Sequence, residues 1–180
     1  MQNQAQHIFL TGFMGSGKST LGEKLASLRH LNFIDLDHYI EKKEKKTISS
    51  IFKNDGEDTF RVMETKNLLE ILKIAEPCII ALGGGTVCFG DNLALIKNKD
   101  LLVYLELPVS ILAERLKQSR QKRPLLKKFL DEDLVKNIGE QLEKRESYYK
   151  QSHVIVNGIN LKAQILHQKI LEFKKEHSAF

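Results

Sequence analysis

One run in this chain dictates its local fold almost alone: Gly12-Phe-Met-Gly-Ser-Gly17-Lys18-Ser19. Ahead of it stands the apolar stretch His7-Ile-Phe-Leu-Thr11. Behind it, Thr20-Leu-Gly-Glu-Lys-Leu-Ala-Ser-Leu28 places Leu21, Leu25 and Leu28 at the spacing of one helical face. Strand, glycine turn and helix in that order predict a βα unit whose turn offers successive backbone N–H groups beneath a helix N-terminus. Such a turn is an anion cradle, because the N–H dipoles and the helix dipole both favour negative charge. The loop's backbone N–H groups are expected to hold phosphate, with Lys18 reaching the β- and γ-phosphates and the Ser19 hydroxyl set against Mg²⁺.

A chain of 180 residues fits one domain with room for a small insertion. No apolar run approaches the length of a membrane span, and the N-terminus lacks the basic-then-apolar layout of a signal peptide, so a cytoplasmic protein with no membrane partner is expected. Cys78 and Cys88 are too few for a disulfide framework, and Cys78 in its apolar run reads as a small core residue. The six histidines show no metal-ligand spacing. The net charge of +5 suits an enzyme that holds polyphosphate and a carboxylate. Its charges are interspersed with acids, as in Glu41-Lys-Lys-Glu-Lys-Lys46, and no aromatic-and-basic signature of RNA binding appears, so no nucleic-acid partner is expected. A monomer is expected.

Short apolar runs at Ile8–Phe13, Phe33–Leu36, Cys78–Leu82, Leu101–Leu107 and Val154–Val156 alternate with helical patterns. That alternation predicts an α/β fold, a five-stranded parallel sheet with helices on both faces, and ligands at the carboxyl ends of the strands. The helices are expected at Lys18–Leu28, His38–Lys45, Thr59–Ile74, Asp91–Asn98, Val109–Gln118, Asp133–Lys150 and Leu161–Glu176. Pro77 is expected to stop the third, and Asp133 and Asn160 to cap the last two. The basic, proline-interrupted stretch Ser119–Asp131 breaks the pattern and reads as a loop that covers the phosphates.

Three further constellations bear on chemistry. Asp35-Leu-Asp37 ends the second strand run, and strand alternation would set both carboxylates on one face, one to support a metal and one to orient a hydroxyl. The plainer reading makes Asp37 a helix cap. The run Ile79–Leu82 ends in Gly83-Gly84-Gly85 with no acid after it, so either Asp35 supplies the missing carboxylate or the metal is held mostly by Ser19 and water. Three glycines at a strand end let backbone approach a ligand closely. Arg61 and Arg145 each sit in helical segments among acids. Arginine suits bidentate carboxylate recognition, although each could equally be a surface ion pair.

Taken together, the ordered set Gly12–Thr20, Asp35-Leu-Asp37, Phe60-Arg61 with Glu64, Gly83–Gly85, Arg123-Pro-Leu-Leu126 and Arg145 followed by Tyr148 resembles the shikimate kinases, over about residues 8 to 155. The resemblance implies a P-loop kinase fold of the nucleoside monophosphate kinase type. It divides one kinase domain, residues 1–180, into a core, a substrate-binding segment at about 38–74 and a lid at about 119–132. It implies transfer of the γ-phosphoryl group of ATP to the 3-hydroxyl of shikimate, with Mg²⁺. By position, Gly15, Ser16, Gly17, Lys18, Ser19 and Thr20 would hold the phosphates, Ser19 would ligate the metal, and Asp35 would support it through water. Asp37 would orient or deprotonate the hydroxyl. Arg61 and Arg145 would grip the shikimate carboxylate beside Gly83, Gly84 and Gly85, and Arg123 would close onto the phosphates. A nucleoside monophosphate or sugar-acid kinase with the same core is one alternative, and a gluconate-type acceptor shares the required chemistry; a nucleotide-binding switch or RNA-binding protein without metabolic catalysis is the other.

Overall fold

The computed structural model describes residues 6–119 and 131–177. Five strands, β1 (Ile8–Thr11), β2 (Asn32–Asp35), β3 (Cys78–Ala81), β4 (Leu101–Glu106) and β5 (Val154–Asn157), form one sheet in the order β2-β3-β1-β4-β5. Every pairing is parallel. The first strand therefore lies centrally, with chain connections departing to both sides of it. Its carboxyl end is the switch point at which an open α/β sheet leaves a crevice.

Strand alternation divides the core in two. Ile8 and Leu10 face one side with Leu25 and Leu166, against α1 (Lys18–Arg29) and α8 (Ala163–Glu176). Phe9 faces the other side with Leu36, Ile40, Phe60, Leu68 and Tyr149. That side is covered by α2 (Leu36–Glu44), α4 (Gly56–Ile71), α5 (Asn92–Lys97) and α7 (Asp131–Tyr149). The central strands β1, β3 and β4 are buried on both faces, which is why they read as continuous apolar runs. A third cluster, with Phe13, Leu107, Leu112 and Leu116, seats α6 (Val109–Ser119) beside the glycine turn.

Several sequence expectations are corrected. The helix α3 (Ile48–Asn54) was not expected; it is seven residues long and rests on a Thr47 cap that accepts from Ser50 N at 3.1 Å. Its apolar pattern is too short to show a period. The following helix ends at Ile71, well before Pro77, so proline is not its stop. Leu28 is exposed although Leu21 and Leu25 are buried, because the buried stripe of α1 runs out before its last turn. Asn160 is not a cap: it takes a left-handed turn, with φ 52°, before α8 starts at Ala163. Asp133 lies inside α7, which starts at Asp131. Arg123 and nearly all of the expected lid fall outside the described residues.

Candidate active site

The glycine turn arrives at α1 through Gly17, whose φ of +94° is a left-handed conformation that side chains rarely adopt. The turn closes on itself with Ser16 N donating to Phe13 O at 3.1 Å. Lys18 is 8% exposed, and its ammonium donates to Gly12 O at 2.8 Å and Phe13 O at 3.1 Å. The charge is thus held at the mouth of the cradle by the turn's own carbonyls. The Ser16 hydroxyl is buried and has no hydrogen-bond partner among the described residues. From α6, Arg115 reaches back to Gly15 O at 3.4 Å and Ser16 O at 3.3 Å, bracing the turn from its open side.

Next to the cradle, Ser19 Oγ donates to Asp35 Oδ2 at 2.5 Å. The other oxygen of Asp35 accepts from His38 N at 3.2 Å, so Asp35, and not Asp37, caps α2. The strand ends at Asp35, and Asp37 stands in the first turn of the helix. The two carboxylates therefore come together at a strand-to-helix corner and not through strand alternation. Burial raises Asp37 to about pKa 6; the Asp35 and Glu64 carboxylates push the same way and the Lys18 ammonium opposes them.

The acceptor side is built on the glycine run after β3. A Cβ at Gly83 would lie 2.7 Å from Glu64 Oε1 and 3.0 Å from Asp37 Oδ1. A Cβ at Gly85 would lie 2.5 Å from Arg61 Nη2. The glycines are there because carboxylates and a guanidinium occupy the space a side chain needs. Glu64 is fully buried and doubly satisfied, accepting from Thr86 Oγ1 at 2.6 Å and Arg61 Nη1 at 2.8 Å. Arg61 also donates to Glu57 at 3.0 Å. Burial works against the Arg61 charge, but Glu64 and Glu57 outweigh it and raise its pKa. The ion-pair reading of Arg61 therefore holds, and the pairs set its guanidinium against Gly85 in the glycine run.

Arg145, from α7, donates to Gly84 O at 3.4 Å and lies over the Phe13 ring, 5.5 Å from its centre. Both Arg145 and Arg61 act electrostatically on the half-buried Cys88 thiol, whose pKa burial raises and the two guanidiniums lower. The two arginines, 84 positions apart in sequence, therefore converge on one region beside the glycine run.

Two cavities open at this end of the sheet. The smaller, about 290 Å³, is lined by Lys18, Ser19, Asp35, Asp37, Gly84 and Arg115 among others. The larger, about 1000 Å³, runs from Gly15–Gly17 along α1 to Gly158, Asn160 and Lys162. Gly15, Gly17 and Thr20 border both. Arg61 and Arg145 do not line the smaller cavity; they stand against Gly85 and Gly84 of the glycine run.

Sequence reasoning missed Arg115, Thr86, Cys88 and Tyr149. For Tyr149 a signal existed: it is four residues after Arg145 and so shares its helical face. Tyr148, the tyrosine expected to matter, is 37% exposed, whereas Tyr149 is fully buried with its hydroxyl donating to Gly84 O. Arg115 had no local pattern to mark it, because only the packing of α6 brings it to the glycine turn.

Comparison with known proteins gives one answer by three routes. The family model described as shikimate kinase matches residues 14–175. The shikimate kinase of Bacteroides fragilis is 42% identical over 148 residues, 82% of each chain. Among solved structures, the shikimate kinase of Bacteroides thetaiotaomicron superposes with a TM-score of 0.84 at 35% identity, covering 94% of this chain and 97% of that one. The Acinetobacter baumannii enzyme, solved in complex with shikimate, has a TM-score of 0.84 at 33% identity, with 97% and 95% covered.

Proposed function

The chain belongs to the shikimate kinase family, and from that premise we propose that it transfers the γ-phosphoryl group of ATP to the 3-hydroxyl of shikimate, giving 3-phosphoshikimate and ADP. The observation that carries this reading is a shared space: the phosphate-end residues Lys18 and Ser19 and the hydroxyl-orienting carboxylate Asp37 line one cavity of about 290 Å³. A donor held by the first and an acceptor held by the second meet there, and phosphoryl transfer asks mainly for such positioning and for charge neutralisation.

Gly15 to Thr20 hold the phosphates. The Lys18 ammonium leaves its loop carbonyls for the β- and γ-oxygens, where charge spreads during transfer. The Ser19 hydroxyl and the Asp35 carboxylate are hard oxygen donors in contact, a pair that suits Mg²⁺, which retains waters and takes few protein ligands. Ser19 and Asp35 would hold the ion, which would supply charge neutralisation at the phosphates. Asp37 accepts the hydrogen bond of the attacking hydroxyl. Its pKa of about 6 leaves it mostly ionised at neutral pH yet able to take the proton as the new phosphorus–oxygen bond forms. A loose transition state requires little proton transfer early, so orientation is its first duty.

Arg61 and Arg145 hold the acceptor's carboxylate, with the backbone of Gly83, Gly84 and Gly85 beside them. Glu64 keeps Arg61 extended across Gly85. The helical segment at about 38–74 forms the substrate-binding part of a single kinase domain. The segment at about 119–132 forms a lid whose Arg123 closes onto the phosphates and keeps water from competing as acceptor. The enzyme works as a monomer in the cytoplasm, without a nucleic-acid or membrane partner. Among the described residues no helix is long and apolar enough to cross a membrane.

A coupled ADP-release assay with a panel of polyol acids tests this. Turnover that depends on shikimate and exceeds that with gluconate-type acids is expected. Turnover independent of shikimate, or confined to another acid, contradicts it.

A further inference from the structure

The buried phenol of Tyr149 has no part in that scheme. Tyr149, on the last turn of α7, is fully buried, and its ring stacks on Tyr104 of β4 with centres 5.0 Å apart and planes 28° apart. Its hydroxyl donates to the Gly84 carbonyl, which also accepts the long 3.4 Å contact from Arg145. Two donors from one helix face thus meet on a single carbonyl in the middle of the glycine run. Burial raises the pKa of the Tyr149 phenol well above that of a free tyrosine, so it stays a donor at any working pH.

The peptide between Gly84 and Gly85 is planar and trans, so its N–H points away from its C=O. Fixing the Gly84 carbonyl toward α7 therefore fixes the Gly85 N–H on the opposite side. Among the described residues that N–H makes no hydrogen bond. The Arg61 guanidinium lies against Gly85, so a carboxylate gripped by Arg61 comes to rest beside this N–H. Arg145 holds the peptide only by a long 3.4 Å contact and has the acceptor's carboxylate to grip as well. Tyr149 has no such second duty, and its stacked ring leaves the hydroxyl nowhere else to go.

We propose that Tyr149 is a positioning residue for the acceptor: its hydroxyl clamps the Gly84–Gly85 peptide so that the Gly85 N–H is presented to the acceptor's carboxylate while Arg145 is engaged by that same group. The proposal rests on the function proposed above and adds to it a group that does not itself touch the substrate.

Tyr149→Phe keeps the ring stack and removes only the hydroxyl. The loss of one hydrogen bond is expected to raise the shikimate KM about five- to tenfold, with kcat within about twofold of wild type and the KM for ATP unchanged. Tyr148→Phe, on the exposed neighbour, should change none of these. A shikimate KM that stays at the wild-type value overturns the proposal. So does a parallel rise in the KM values for both substrates, which marks general loosening. A second measurement needs no substrate: in ¹⁵N-labelled ligand-free protein, Tyr149→Phe should move the Gly85 amide resonance and leave those of Gly15 and Gly17 in place. If wild-type protein does not turn over shikimate, the function proposed above falls, and the Gly85 resonance alone then decides the clamp. An unmoved Gly85 resonance overturns it.

Discussion

The two ends of the site are built in opposite ways. The proposed phosphate end is contiguous: Gly12 to Thr20 fold into one turn and the start of one helix, and what they offer an anion is mainly backbone N–H dipoles. The acceptor end is assembled from α2, α4, the glycine run after β3, and α7, with residues from Asp37 to Tyr149. Its working groups are charged side chains that are buried and must be paired, such as Glu64 between Arg61 and Thr86. The phosphate end owes its form to local geometry that any strand–turn–helix of this type reproduces. The acceptor end owes its form to packing, so it is where a kinase of this fold becomes specific, and where a single change disturbs both binding and stability.

Substitutions can set these ends against each other, and the largest effect belongs to the phosphate end. Lys18→Ala should nearly abolish turnover, with kcat reduced about a hundredfold or more, while shikimate binding measured without nucleotide is unchanged. A variant that keeps its kcat would remove Lys18 from charge stabilisation. Arg123→Ala should likewise lower kcat more than either KM, since a lid arginine acts on the transferring group; an unchanged kcat would take it out of the mechanism.

Arg61→Ala crosses from binding into stability. It should weaken shikimate binding by about 1.5–3 kcal/mol, the worth of a charge-assisted contact, and also lower the thermal midpoint, because Glu64 is 0% exposed and loses its charge partner. Adding Glu64→Gln should restore much of the midpoint but none of the affinity. Recovery of affinity in the double variant would show that Arg61 serves only as an ion-pair partner.

The smallest effect lies far from both ends. At the amino edge of the sheet, His153 Nδ1 accepts from Leu102 N at 3.0 Å, a bond that needs a neutral ring. Burial, together with the Lys97 and His177 charges, lowers the His153 pKa from its ordinary 6.5. The unfolded chain thus takes up this proton at higher pH than the folded one does. The stabilisation is complete above about pH 6.5 and drains away as pH falls through the lower folded value. Urea midpoints between pH 7.5 and 5 should show that slope, and His153→Asn, which keeps an acceptor, should flatten it. Equal slopes in the two proteins would assign the acid sensitivity elsewhere.

The same contrast explains what the sequence disclosed. The cradle, the parallel sheet and the order of its strands' apolar runs were readable, because each depends on neighbours within a few residues. Asp35 and Asp37 were found for a reason that proved wrong: strand alternation did not pair them, since the chain turns into α2 directly after Asp35. Singly, neither Arg61 nor Arg145 could be told from a surface charge. Only the fold brings both to the glycine run, and only the fold shows that Glu64 is buried beneath Gly83. Arg115 and Thr86 were invisible because nothing near them in sequence hints at their partners across the site. Tyr149 had only its place four residues after Arg145 to mark it, and the fold alone shows its hydroxyl on Gly84 O.

The central claim is that these two ends meet over one hydroxyl. The most direct measurement is phosphorus–proton correlated NMR of the product formed from ATP, Mg²⁺ and shikimate. The claim predicts phosphorus coupled to the proton on carbon 3, with ADP released in equal amount. Coupling at another ring carbon, or inorganic phosphate released with shikimate unaltered, would contradict it.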